Sequence, residues 1–205
     1  EFDLDPLSAI KASLVEAQTL FNSGKQTEGK LAYRVAQTQL ERSQDLSLDD
    51  KLDVLIVRLS FDEEATAKAY SEEVLSQVRG NRRLENKFYS ILENSLTPKP
   101  DDRLALMKKR GEELINRADW EDAADIYLRA CQLKNADTDV RLGAIKAVVN
   151  LFISGRRDIE KMPMIDDLIV QLANLPNSDP RYPTFERLQK DWKEVTASEQ
   201  PSDAG

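Results

Sequence analysis

The sequence predicts an all-α protein of about ten helices, and three observations carry that expectation. Apolar residues recur at helical spacing along most of the 205 residues. Few glycines and 6% aromatics, beside 40% hydrophobic and 32% charged residues, suit amphipathic helices better than sheets. Finally, the stretch from Leu104 to Asn135 joins two amphipathic segments through the tight turn Arg117-Ala118-Asp119.

Taken in order, Asp5-Pro6 is a helix start, since aspartate can cap and proline fits the first helical position. Ile10, Leu14, Ala17, Leu20 and Phe21 form the stripe of that helix, and Ser23-Gly24-Lys25 ends it. A second helix runs through Leu31, Tyr33, Val35, Ala36 and Leu40. Ser47-Leu48-Asp49-Asp50 resembles a capping box with a shorter acid. The helix it opens carries Leu52, Val54, Leu55, Val57 and Leu59, more apolar residues than one stripe needs, and should be buried on more than one side. After the turn Phe61-Asp62-Glu63-Glu64 come Ala65, Ala69, Tyr70, Val74, Leu75 and Val78, with Gly80 as C-terminal glycine. A fifth helix spans 82–96 and presents Leu84, Phe88, Ile91 and Leu92.

Thr97-Pro98-Lys99-Pro100 opposes continued helix. The expected organisation is therefore N-terminal helical repeats at 1–96, a proline-containing linker or corner at 97–100, a hairpin and C-terminal helices at 101–195, and a disordered polar tail at 196–205. Within the third segment, Asp137 to Gly155 is apolar nearly all round. Pro163 lies in the first turns of the helix that should follow near Arg157, which requires a kink or a late start there. Ile165, Leu168, Ile169, Leu172 and Leu175 continue it, and Tyr182, Phe185, Leu188 and Trp192 form a last stripe.

The hairpin at Leu104 to Asn135 resembles a tetratricopeptide repeat, a helix-turn-helix unit of about 34 residues. With Leu104 as first position, the family's small eighth residue falls on Gly111, its small twentieth on Ala123, its aromatic twenty-fourth on Tyr127 and its small twenty-seventh on Ala130. Met107, Arg110, Leu114, Ala118 and Asn135 depart from the consensus. Residues 10–43 are similar in the same phase, placing Ala17, Gly29, Tyr33 and Ala36 on those four positions and Gly24 at the turn. The resemblance implies a right-handed superhelical stack of antiparallel helix pairs, in which a terminal helix around Tyr182 to Trp192 caps the end. It also implies a groove lined by the first helix of each pair. Carried over position by position, the groove-facing set is Lys11, Gln18 and Asn22 in the first repeat and Lys108, Glu112 and Asn116 in the clearest one. Glu112 stands where carboxylate-gripping members carry asparagine, which disfavours docking of a chaperone's terminal carboxylate.

Other functional classes find little support. The net charge of −8 repels phosphate backbones, and the best basic cluster, Arg79, Arg82, Arg83 and Lys87, is interrupted by Glu85. No apolar run approaches the roughly 18 residues of a membrane span. Gly24 to Lys30 has the spacing of a phosphate-binding loop, but a helix precedes it and Leu31 follows where magnesium binding needs Ser or Thr. There is no histidine for acid-base work or zinc, and Cys131 is the single cysteine, expected to be buried and inert in a reducing, cytoplasmic setting. The carboxylate neighbours Asp101-Asp102, Glu112-Glu113 and Asp166-Asp167 point apart on a helix. The chain is therefore read as a non-enzymatic scaffold or adaptor without cofactor or metal, binding a protein or peptide partner. The alternatives are a self-associating module docking through the stripe that ends at Trp192, and the output segment of a bacterial signalling response regulator.

Overall fold

The computed structural model describes residues 6–42 and 46–197, and every regular element among them is helical. The expected Asp5 cap and the tail residues 198–205 lie outside the described residues. The chain divides into two units, Glu1–Ser95 and Leu96–Gly205.

In the first unit, α1 (Pro6–Asn22) and α2 (Gln26–Arg42) form a hairpin. Gly24 holds its turn at φ +87°, in the left-handed region where a Cβ is costly. Lys25 N–H donates back to Leu20 O at 3.0 Å. The two helices then approach almost backbone to backbone. A methyl group at Gly29 would stand 2.9 Å from both Ala17 O and Phe21 N, so the contact exists only where α2 carries no side chain. Leu14, Ala17, Tyr33, Ala36 and Leu40 are buried around it.

α3 (Leu48–Phe61) opens with the reciprocal bonds of the Ser47 box: Asp50 N–H donates to Ser47 Oγ at 3.2 Å, and Ser47 N–H donates to Asp50 Oδ2 at 3.3 Å. The helix is buried on two sides. Val54 and Val57 join the core of α1 and α2, whereas Leu52 and Leu55 join that of α4 (Glu64–Val78) and α5 (Arg82–Ser95). Its outer acids are tied to α5, with Arg83 2.6 Å from Asp49 and Lys87 3.0 Å from Asp53.

Two sequence expectations fail in this unit. Ala65 and Ala69 are exposed, and α4 instead turns Ala67, Ser71, Val74 and Val78 inward. Ser71 reads as polar, but its hydroxyl donates to Lys68 O of its own helix at 2.8 Å, so it packs as a small residue. Leu31 and Val35, counted in the stripe of α2, are 66% and 55% exposed. The helical period places them roughly opposite Gly29, Tyr33 and Ala36, the residues that face α1.

The second unit contains α6 (Pro100–Asn116), α7 (Trp120–Cys131), α8 (Thr138–Ile153), a 3-10 turn (Ile159–Lys161), α9 (Met162–Leu172) and α10 (Tyr182–Ala197). Its centre is the Tyr127 ring, wedged between two glycines on different helices. A methyl group at Gly111 of α6 would lie 2.5 Å from Tyr127 Cζ, and one at Gly143 of α8 would lie 2.5 Å from Cε1 on the other edge. Ala123 and Ala130 are wholly buried beside it. Most of α8 is buried, with Val140, Ala144, Ile145, Ala147 and Val148 fully covered, while Asp139 and Ile153 stay exposed. Pro163 sits in the first turn of α9, so the helix starts late rather than kinking.

The stripe of α10 is consumed inside the unit. Phe185, Leu188 and Trp192 are buried, the Trp192 ring meets Phe152 edge-on with centroids 5.2 Å apart, and its Nε1–H donates to Asp166 Oδ1 at 2.8 Å. Thr196, expected in the tail, is the penultimate residue of this helix. Arg110 is 2% exposed and lies 3.5 Å from Glu113.

Two stability outcomes follow from this packing. Gly111→Ala and Gly143→Ala should each cost about 1–3 kcal/mol in urea unfolding, outweighing the roughly 1 kcal/mol of helix propensity that alanine gains. The loss should shrink in a Tyr127→Leu background, and strict additivity would contradict the wedge. Ala118 holds the α6–α7 turn at φ +59°. Ala118→Gly should accordingly raise stability by about 1 kcal/mol, by the same measurement.

Candidate functional site

Three residues of α1 spaced at i, i+4 and i+7, Lys11, Val15 and Gln18, share one helical face. That face looks across an open cavity of about 260 Å³ to α3, which contributes Asp50, Asp53 and Ile56. The floor is apolar, built from Ile10 and Leu14 of α1, Leu40 at the end of α2, and Val54 and Val57 of α3. These residues belong to the buried core of the unit. Val15 and Ile56 stand at the lips, 64% and 38% exposed.

The two walls carry opposite character. On α3, Asp50 is only 7% exposed and does three jobs: it closes the capping box, accepts from Ser47 Oγ at 2.6 Å, and pairs with Lys11 Nζ across the cavity mouth. The hydrogen bond from Lys11, followed by that from Ser47, holds the Asp50 carboxyl below the usual carboxylate range. The same bond raises the Lys11 ammonium above its ordinary value. On α1, Lys11 and Gln18 make the opposing wall cationic and polar.

The residues expected to face a groove fall out as follows. Gln18 lines the cavity, and Lys11 lines it while also bracing α1 against α3. Asn22 is exposed at the end of α1. In the second unit Lys108 braces α6 against the start of α8, 2.9 Å from Asp137 and 3.4 Å from Asp139, while Glu112 and Asn116 are exposed. Val15, Ile56, Asp50 and Asp53 were missed by sequence reasoning. The only available signal was that Val15 and Ile56 are surplus to the core stripes of their helices.

Elsewhere among the described residues, charged groups are paired or diverge. A hollow of about 220 Å³ at Glu121, Leu151, Arg156, Arg157 and Asp158 is internally neutralised, with Arg156 3.3 Å from Glu121. Burial pushes the Cys131 thiol up to about 11, leaving it protonated at neutral pH. Gly24 to Lys30 is a helical turn in which Gly29 packs against α1. The neighbouring carboxylates diverge: Asp101 accepts from Asn135 at 2.8 Å and Asp166 from Trp192 at 2.8 Å. Among the described residues no group of three or more metal-binding side chains converges, and no helix is long and apolar enough to cross a membrane. The cavity's chemistry is that of receiving aliphatic side chains under a polar rim.

Because Asp50 titrates below its ordinary value of 3.8 in the folded chain, the unfolded chain binds the proton more tightly. Its contribution is present above that value and is lost as pH falls through the lower folded one. Urea midpoints should therefore drop on acidification below about pH 4, and Asp50→Asn should flatten that drop; an unchanged slope would remove Asp50 as its source.

No protein-family model matches this chain, and neither a curated protein nor a solved structure matches it.

Proposed function

We propose that the chain is a non-enzymatic scaffold or adaptor of tetratricopeptide-like type, whose helix pairs stack as a right-handed superhelix and whose α1–α3 cavity holds a segment of a protein partner. The observation that supports this reading is the open, apolar-floored cavity of about 260 Å³ on the face that carries Lys11 and Gln18. An apolar cavity of about 150 Å³ takes up benzene, so this one has room for two branched side chains. Each would contribute roughly 1.5–3 kcal/mol on burial, enough to anchor a peptide whose backbone is then held by polar contacts. Gln18 and Asn22 are suited to that second task, since neither is committed to bracing the fold. Lys11 and Lys108 act on a partner only through charge that their aspartates already balance. A reducing, cytoplasmic setting fits the single half-buried thiol.

A photo-crosslinking residue placed at Gln18 tests the reading. It should trap a discrete polypeptide, whereas the same group at exposed Thr66 of α4 should not. Val15→Asp should abolish the Gln18 product while helicity by circular dichroism is retained. Equal trapping from both positions, or a Gln18 product indifferent to Val15→Asp, would overturn it.

A further inference from the structure

The face of α2 that the core does not use is the most conspicuous feature left over. Leu31 and Val35 lie one turn apart and together form an apolar ridge more than half exposed. Lys30 and Arg34, also one turn apart and exposed, run along one flank of the ridge. Exposed Glu28 and Gln39 run along the other. The ridge is thus aliphatic at its crest, basic on one side and polar to acidic on the other.

The α1–α3 cavity has the inverse pattern. Its floor is aliphatic, its α3 wall carries Asp50 and Asp53, and its α1 wall carries Lys11 and Gln18. Asp53 keeps 49% of its side-chain surface exposed despite its contact with Lys87, so it remains open to a second cation. Two branched side chains one helical turn apart, Leu31 and Val35, suit a cavity of about 260 Å³. Laid so that Lys30 and Arg34 face α3, the helix would bring Glu28 and Gln39 to the α1 wall, opposite Lys11 and Gln18. Turned the other way, it would take Lys30 and Arg34 away from half-exposed Asp53 and bring Glu28 toward it, so charge selects one orientation.

From this match of shape and charge we infer that the occupant of the cavity is α2 of a second copy of the chain. The inference rests on the reading of the cavity as a docking site and names its partner. Ridge and cavity are different surfaces of the same unit, so the contact is head-to-tail. A bound pair still offers one free ridge on one copy and one free cavity on the other, and association extends with concentration into rings or open chains rather than stopping at a symmetric dimer.

Sedimentation velocity on the full chain across a dilution series tests this, with two variants at exposed positions that leave the core intact. The first combines Leu31→Asp and Val35→Asp to break the ridge, and the second is Val15→Asp to break the cavity lip. Circular dichroism confirms that both keep their helices. The wild-type chain should grow beyond dimers as concentration rises, and each variant alone should remain monomeric. An equimolar mixture of the two variants retains one intact ridge and one intact cavity, so it should form dimers and nothing larger. Reversing Lys30 and Arg34 to glutamate should weaken wild-type assembly by roughly tenfold or more. A wild-type chain monomeric at every concentration overturns self-association. If the Gln18 crosslink to a different polypeptide persists in that case, the docking site stands with another occupant; if it too is absent, both readings fall. Assembly that survives either variant, or a mixture that stays monomeric while the wild-type chain assembles, overturns the head-to-tail contact.

Discussion

Helices pack most closely where one of them has nothing to interpose, and each unit is built on such a contact. In the second unit the Tyr127 ring fills the space that side chains at Gly111 and Gly143 would occupy, so one residue of α7 fixes its distance to both α6 and α8. In the first unit the arrangement is more direct, with Gly29 of α2 against the backbone of α1 at Ala17 and Phe21. Glycine inside a helix costs about 1 kcal/mol of propensity relative to alanine. The compensation is the packing that surrounds it: wholly buried Ala123 and Ala130 in one case, Ala17 and Ala36 in the other. Interiors packed this densely transmit changes of a single methyl group, which makes these positions set the helix spacing rather than merely tolerate it.

Once the hairpins are set, the third helix of each unit is locked by an acidic first turn. Asp50 near the start of α3 receives Lys11 from α1, and Asp137 and Asp139 at the start of α8 receive Lys108 from α6. A carboxylate is favoured at a helix N-terminus by the exposed N–H groups and the dipole. A lysine from the first helix then adds an inter-helix tie at a place where the charge was already stabilised. Such ties are partly exposed and individually weak. Their value is in register, since they act on helices whose apolar faces would otherwise slide.

The helical character and many boundaries were legible because they depend on local chemistry. The Ser47 box, the turn at Gly24 and the late start at Pro163 are written within a few residues of where they act. The pairing of small residues with Tyr127 was legible from α6 and α7, yet Gly143 was not, because nothing local marks which residue of a mostly apolar helix faces a ring 16 positions earlier in the chain. Ala65 and Ala69 misled for the opposite reason. Alanine is compatible with either face of a helix, while Ser71, satisfied by its own backbone, concealed a buried position under a polar name. The cavity was half visible. Its α1 wall followed from repeat position, but Asp50 looked like a helix cap and nothing more, and Ile56 lay outside the stripe read for its helix.

On the docking role proposed for the cavity, that double use of Asp50 would limit what it can recognise. A side chain that accepts from Ser47 at the start of its own helix and also pairs with Lys11 cannot turn toward a newcomer without losing both partners. The same holds for Lys11, whose ammonium is committed to Asp50. Discrimination at this site therefore falls to the groups that the fold leaves uncommitted: the crest positions Val15 and Ile56, the amide of Gln18, and the exposed half of Asp53. On that role, an incoming segment would be selected first by whether its apolar residues sit one helical turn apart and so share one face. Charge acts second, by rejecting the orientation that would place like charges at the rim. A binding surface organised in this way favours helical segments over extended ones, because an extended strand carries same-side residues at about 7 Å intervals, against roughly 5–6 Å for neighbours one turn apart on a helix.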